Sequence, residues 1–148
     1  MIVYRICSAK YPNNDGEGGK LYGGRWNHKG TPMLYCAETL SACVLENLVH
    51  SSVLPQNKVA ISAEIPDGVA LMAKDSSNLP SDWNSPAHLA STQDIGTNWV
   101  LSLASVALFV PSAIVSYERN VLINPSHPDF ARIKFGSPNP FAFDPRLK

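Results

Sequence analysis

The sequence predicts an α+β domain, a small mixed sheet or split barrel with flanking helices. Three observations carry that expectation. Short β-branched and aromatic runs recur along the chain, separated by turns rich in Gly, Pro and Asn. Two stretches, residues 39–50 and 92–104, instead repeat apolar residues at helical spacing. With 148 residues and 45% hydrophobic content, the chain has the size and composition of one domain with one core, so residues 1–148 are read as a single unit.

Residues 1–7 open with a strand that contains Tyr4 and Arg5. Residues 10–20 (KYPNNDGEGGK) are loop by composition. They are not a phosphate-binding Walker loop, because the glycine spacing is wrong and Lys20 precedes Leu21 rather than Ser or Thr. A GxGxxG turn is missing as well. Residues 31–37 (TPMLYCA) read as a strand carrying Tyr35. Thr39 is suited to cap a helix in which Leu40, Cys43, Val44 and Leu48 form one apolar stripe. Glu46 lies on the flank of that stripe with Ala42 and His50, where it faces either a cleft or water. Residues 58–65 alternate as a strand, and Pro66-Asp67-Gly68 ends it in a turn. Residues 73–91 are polar and proline-bearing, a loop with room for a short helix and with Trp83 as a lone anchor. Ile95, Trp99 and Leu103 mark the second helix. Residues 106–110 form a buried strand, residues 114–115 and 121–123 continue the sheet, and residues 130–135 are a candidate edge. The proline-rich tail beyond Gly136 is a poor segment for regular structure.

Composition excludes several function classes. Twelve basic residues balance twelve acidic ones, with no long basic run, so no surface is built to hold a nucleic-acid backbone by counterion release. Zero net charge favours association with a partner. Cys7, Cys36 and Cys43 form no CxxC and read as reduced core residues of a cytoplasmic protein. The four histidines are scattered and no metal site is expected. No signal peptide is seen, and the longest apolar stretch, residues 99–111, is too short to span a bilayer.

The segment Gly23-Gly24-Arg25-Trp26-Asn27 is the strongest candidate for a site. Two glycines let the backbone pass close to a neighbour or take positive φ. Arg25 offers a planar five-donor fork suited to phosphate or carboxylate, and Trp26 a stiff anchor. A tight turn with a surface Arg and a core Trp is the competing account. Tyr35 and Glu46 follow on the next two elements, near enough in sequence to converge on Arg25.

The segment GGRWNHKGTPMLYCAETLSACVLENLVH resembles the signature of the RES domain, the toxin half of RES–Xre toxin–antitoxin modules. DIGTNWVLSLASVALFVPSAIVSYERNVLINPSHPDFARI is similar to the C-terminal block of the same family. Both motifs occur in the right order over nearly the whole chain. The resemblance implies a fold like that of the diphtheria-toxin-type ADP-ribosyltransferases, with NAD+ as substrate and no resident cofactor. It places the family's arginine, glutamate and serine on Arg25, Glu46 and Ser112, and its active-site tyrosine on Tyr35. Asn120 and Asn124 fall in the Glu-Arg-Asn and Ile-Asn-Pro contexts of the block, and Asn120 is taken as substrate-binding. It further implies an Xre-type helix-turn-helix antitoxin as partner and a toxin homodimer within a larger complex.

The chemistry agrees with that implication. Nicotinamide in NAD+ is already cationic and departs neutral, so its bond to ribose breaks without the acid that ordinary glycosides need. One carboxylate suffices, to stabilise the oxocarbenium-like charge, and Glu46 is the candidate. Tyr35 would stack on nicotinamide, Arg25 hold the diphosphate or ribose, and Ser112 donate to the substrate or to the Arg25–Glu46 arrangement. His28 and His50 are weaker candidates for the cleft. Attack by phosphate in place of water (a phosphorylase), transfer of ADP-ribose to a protein or nucleic acid, and a catalytically silent interaction domain are the alternatives.

Overall fold

The computed structural model describes all 148 residues. The elements run β1 (Ile2–Ser8), α1 (Glu17–Tyr22), β2 (Leu34–Ala37), α2 (Leu40–Val49), β3 (Lys58–Glu64), β4 (Leu71–Ala73), α3 (Ala90–Ser102), β5 (Ala107–Pro111), β6 (Arg119–Ile123), β7 (Lys134–Phe135) and β8 (Asn139–Phe141). They build one mixed sheet in the order β4-β5-β6-β2-β1-β3-β7, with β8 pairing β3. The β4–β5 pair is parallel and the others are antiparallel. No helix is long and apolar enough to cross a membrane.

Period-two alternation on the strands divides the core into two faces. Leu34 and Cys36 of β2, Ala107 and Phe109 of β5, and Val121 and Ile123 of β6 share one cluster. Leu108, Val110 and Leu122 have the opposite parity and pack with Trp26 and with Trp99 and Val100 of α3. Farther along the sheet, Ala42, Cys43 and Leu48 of α2 cover Ile6 and Ala37. β1 and β3 are registered at seven positions, from Ile2↔Glu64 to Ser8↔Lys58, whereas β1 meets β2 at the single pair Tyr4↔Ala37. The sheet parts there, and residues of both parities, Arg5 and Ile6 on β1 and Tyr35 and Cys36 on β2, open onto the same cleft.

Four segments differ from the sequence expectation, each for a tertiary reason. α1 lies where residues 10–20 read as loop, a six-residue helix with two internal glycines and no side-chain cap. Such a helix does not stand alone; Asn27 Nδ2 donates to the Gly19 carbonyl and the Gly30 amide to that of Lys20. Residues 114–115 form no strand. The Ser112 hydroxyl accepts from the amides of Ile114 and Val115 and folds the β5–β6 connection into a turn. β4 is an exposed three-residue edge with too little pattern to be seen. In the tail, β8 pairs Lys58–Ala60 of β3 despite Pro140, as an edge strand tolerates. Phe141 and Phe143, edge to face at 5.2 Å, close the cluster beneath α2.

Candidate active site

The 23–30 segment is held from three sides. Gly23 takes φ +67°, and Gly24 passes so close to Tyr35 that a Cβ would lie 2.6 Å from its hydroxyl. Asn27, fully buried, organises the turn. Its Nδ2 donates to the carbonyls of Gly19 (2.8 Å) and Thr31 (3.0 Å), and its Oδ1 accepts from the Tyr35 hydroxyl at 2.6 Å. The same hydroxyl accepts from the Trp26 amide at 3.1 Å. α3 closes the third side, with Gln93 Nε2 on the Gly24 carbonyl and Thr97 Oγ1 accepting from the His28 amide. Trp26 fills the core as the competing account supposed, yet Arg25 beside it is half-buried on the cleft wall. Arg25 Nη1 donates to the Trp83 carbonyl at 2.8 Å. Burial lowers its proton affinity, and the charge of Glu46 and the phenol of Tyr35 act in the opposite direction.

α2 delivers the carboxylate. Thr39 caps the helix as expected, its hydroxyl accepting from the Ala42 amide at 3.1 Å. About two helical turns after the cap, Glu46 Oε1 accepts from Asn120 Nδ2 at 2.6 Å and, more loosely, from Ser112 Oγ at 3.4 Å. Asn120 sits on β6 opposite Ala37 of β2 and Val110 of β5, so the sheet register fixes where the carboxylate points. Asn120 Oδ1 is the one buried side-chain polar atom left without a partner.

Arg25, Tyr35, Glu46 and Asn120 thus line one cleft of about 930 Å³. Ser112, 6% exposed, stands behind Glu46 rather than on the wall. His28 is outside, paired with Asp94 at 2.6 Å on the surface. His50 lines the cleft, and so do Arg5, Lys58 and His88. Glu46 is the only acidic residue of the lining, so a chain of zero net charge concentrates three formal cations around one carboxylate. Burial pushes the Tyr35 phenol well above its ordinary range, so the ring presents a neutral face at physiological pH. Burial also raises Cys36 and Cys43, on the cleft's floor, to about 12, which leaves them as unreactive thiols.

Residues 2–144 match the RES domain. The chain belongs to the RES domain family of toxins. It is 42% identical over 154 aligned positions, covering all of both chains, to "Toxin Res" of Yersinia enterocolitica. A "Prs ADP-ribosylating toxin" of Sphingobium is 38% identical over 136 positions, 89% of this chain and 84% of the relative. Among solved structures, the M. tuberculosis MbcT–MbcA toxin–antitoxin complex contains a chain that superposes with a TM-score of 0.71 at 16% identity, over 99% of this chain and 86% of that one. That likeness shows the fold.

Within this RES domain, three cleft residues escaped sequence reasoning. Arg5 reads from the sequence only as a strand residue, because nothing there shows that β1 and β2 part beside it; its Nη1 donates to the Asn13 carbonyl at 2.7 Å and to Asn14 Oδ1 at 2.8 Å. Lys58 and His88 lie at the ends of loops whose paths no local pattern encodes. Trp83, read as a lone anchor, packs its ring 6.2 Å from that of Trp26 while its carbonyl holds Arg25.

Proposed function

We propose that this RES domain consumes NAD+ by breaking the bond between nicotinamide and ribose. The observation that carries the reading is the cleft: one carboxylate, held by Asn120, in a wall whose other formal charges are the cations Arg5, Arg25 and Lys58. The positive wall suits the diphosphate of a dinucleotide, and the lone carboxylate suits a reaction that develops positive charge on ribose. Nicotinamide leaves with the bonding pair as a neutral amide. Water adds to the ribose carbon and loses a proton, giving ADP-ribose. Glu46 stabilises the oxocarbenium-like transition state, a preorganised charge that does not have to reorient as the bond stretches. Arg25 binds the diphosphate or ribose, the Tyr35 ring stacks on nicotinamide, and Ser112 and Asn120 keep Glu46 aimed.

Transfer of ADP-ribose to a macromolecule uses the same cleft with a different nucleophile, and the name of the Sphingobium relative favours that second reading. Incubation of the purified chain with NAD+ carrying label in the adenosine half decides between them. Free nicotinamide with free labelled ADP-ribose supports hydrolysis, nicotinamide with label on protein or nucleic acid supports transfer, and intact NAD+ leaves neither standing.

The M. tuberculosis neighbour is held in a toxin–antitoxin complex, which supports an antitoxin partner here. We assign that partner to the Xre helix-turn-helix type and expect a toxin homodimer within the assembly, acting in the cytoplasm where NAD+ is drawn down. A neutral chain leaves DNA binding to the partner. Expression alone should arrest growth and co-expression with the neighbouring gene product restore it; full growth at high levels of folded chain would count against a toxic activity.

A further inference from the structure

The mouth of the cleft holds a pair of side chains that the reaction above leaves unused. His50 ends α2 as its C-cap, and His88 comes from the turn-rich segment leading into α3. Their rings meet edge to face with centroids 5.9 Å apart; both are exposed and both line the cleft. Residues 80–88 make one hydrogen bond to the rest of the chain, and it is the bond from Arg25 to the Trp83 carbonyl. One short segment therefore supplies both the acceptor that holds the guanidinium and the second imidazole of the lining. The charged groups that share the lining with the pair are Arg25 from the 23–30 turn, Arg5 from β1, Lys58 from β3 and Glu46 from α2. No other carboxylate lines the cleft to neutralise a protonated imidazole there, and Glu46 is already held by Asn120 and Ser112.

We propose that His50 and His88, together with Arg25, form a pH-tuned subsite for the diphosphate of a dinucleotide. The assignment rests on the NAD+ reading for its ligand class but not on cleavage taking place. A neutral imidazole brings one N–H donor, whereas a protonated one brings two donors and a charge. Partial desolvation at the cleft wall, Arg25 and His50 all lower the proton affinity of His88. A bound diphosphate reverses that field, so binding and proton uptake are linked. Affinity is then strongest below the histidine range and falls as pH rises through it.

ADP-ribose is the probe, because its diphosphate diester keeps a constant charge between pH 6 and 8. Titration calorimetry at both pH values, in two buffers of different ionisation enthalpy, reads affinity and proton uptake together. The expected result is proton uptake at neutral pH and tighter binding at pH 6 than at pH 8. His50→Gln and His88→Gln each weaken binding about tenfold at pH 6 and flatten the pH dependence, while binding at pH 8 changes little. Both side chains are exposed, so the variants fold, which a parent-like circular dichroism spectrum checks. Affinity of the parent that does not vary with pH, or Gln variants that bind like the parent at pH 6, overturns the subsite. A chain that binds ADP-ribose in this histidine-dependent way but leaves NAD+ intact keeps the subsite and removes the reaction. A chain that consumes NAD+ with both Gln variants binding ADP-ribose normally removes the subsite and keeps the reaction.

Discussion

Tyr35→Phe separates the two jobs that the geometry gives to one residue. The hydroxyl donates to Asn27 Oδ1 at 2.6 Å and accepts from the Trp26 amide at 3.1 Å, and Asn27 is fully buried. Removing it leaves one acceptor and one N–H unpaired in the turn that carries Arg25, at about 1–3 kcal/mol for each. A combined loss of about 2–6 kcal/mol corresponds to a midpoint lower by roughly 5–20 °C in a chain of this size. The ring itself remains, so turnover of NAD+ at 20 °C, well below the midpoint, should stay within about threefold of the parent. Tyr35→Ala removes the ring as well. Loss of a desolvated cation–π contact of about 2 kcal/mol lowers kcat/KM by roughly thirtyfold beyond the Phe variant. Scanning calorimetry and a nicotinamide-release assay on both variants are sufficient. A Phe variant that melts with the parent would show that the hydroxyl does not pin the turn. A Phe variant as inactive as the Ala variant would show that the hydroxyl, not the ring, serves the reaction.

Arg25→Lys replaces a planar fork with a point charge and should raise KM for NAD+ about tenfold or more; an unchanged KM in steady-state assays would make Arg25 structural. Ser112→Ala leaves the amides of Ile114 and Val115 without their acceptor and Glu46 with Asn120 alone, so stability should fall by about 1–3 kcal/mol. With Glu46 less firmly aimed, kcat should fall more than KM rises, and denaturant titration beside kinetics reads both; parent-like values in the two assays would detach Ser112 from the site. Cys36 and Cys43 have folded values raised to about 12 from an ordinary 9.0. Their stabilising effect is complete below pH 9 and is lost as pH climbs from there towards 12, by about 1.4 kcal/mol per unit for each thiol. Urea midpoints measured from pH 8 to 11 should therefore fall with pH, and less steeply for Cys36→Ala; equal slopes would place the thiol in water.

The fold was legible wherever periodicity was long enough to speak. The alternation of β3, the continuous apolar run of β5, the stripe and Thr39 cap of α2, and the steps of four through Trp99 correspond to elements found near the expected positions. What the sequence concealed depends on distant partners. α1 is six residues held by Asn27 and Gly30, and β8 exists because β3 offers it an edge. At the site, the spacing of Arg25, Tyr35 and Glu46 on consecutive elements already suggested convergence. The contribution of Asn120 follows from the β2–β6 register, and that of Arg5 from the gap between β1 and β2, neither of which a local pattern records. The hydroxyl of Tyr35 was hidden for the same reason, since its partners lie in a turn eight or nine residues away.

The central claim is that Glu46 is the carboxylate on which breakage of the nicotinamide–ribose bond depends. The most direct measurement is the rate of nicotinamide release from NAD+ by the parent and by Glu46→Gln at equal concentrations of folded protein. Gln keeps the shape and still offers an oxygen to Asn120 Nδ2, so the fold should be retained while the charge is lost. The account predicts steady release by the parent and a rate lower by a factor of about 10² or more in the variant. Release at the parent rate by Glu46→Gln, or no release by the parent, would contradict it.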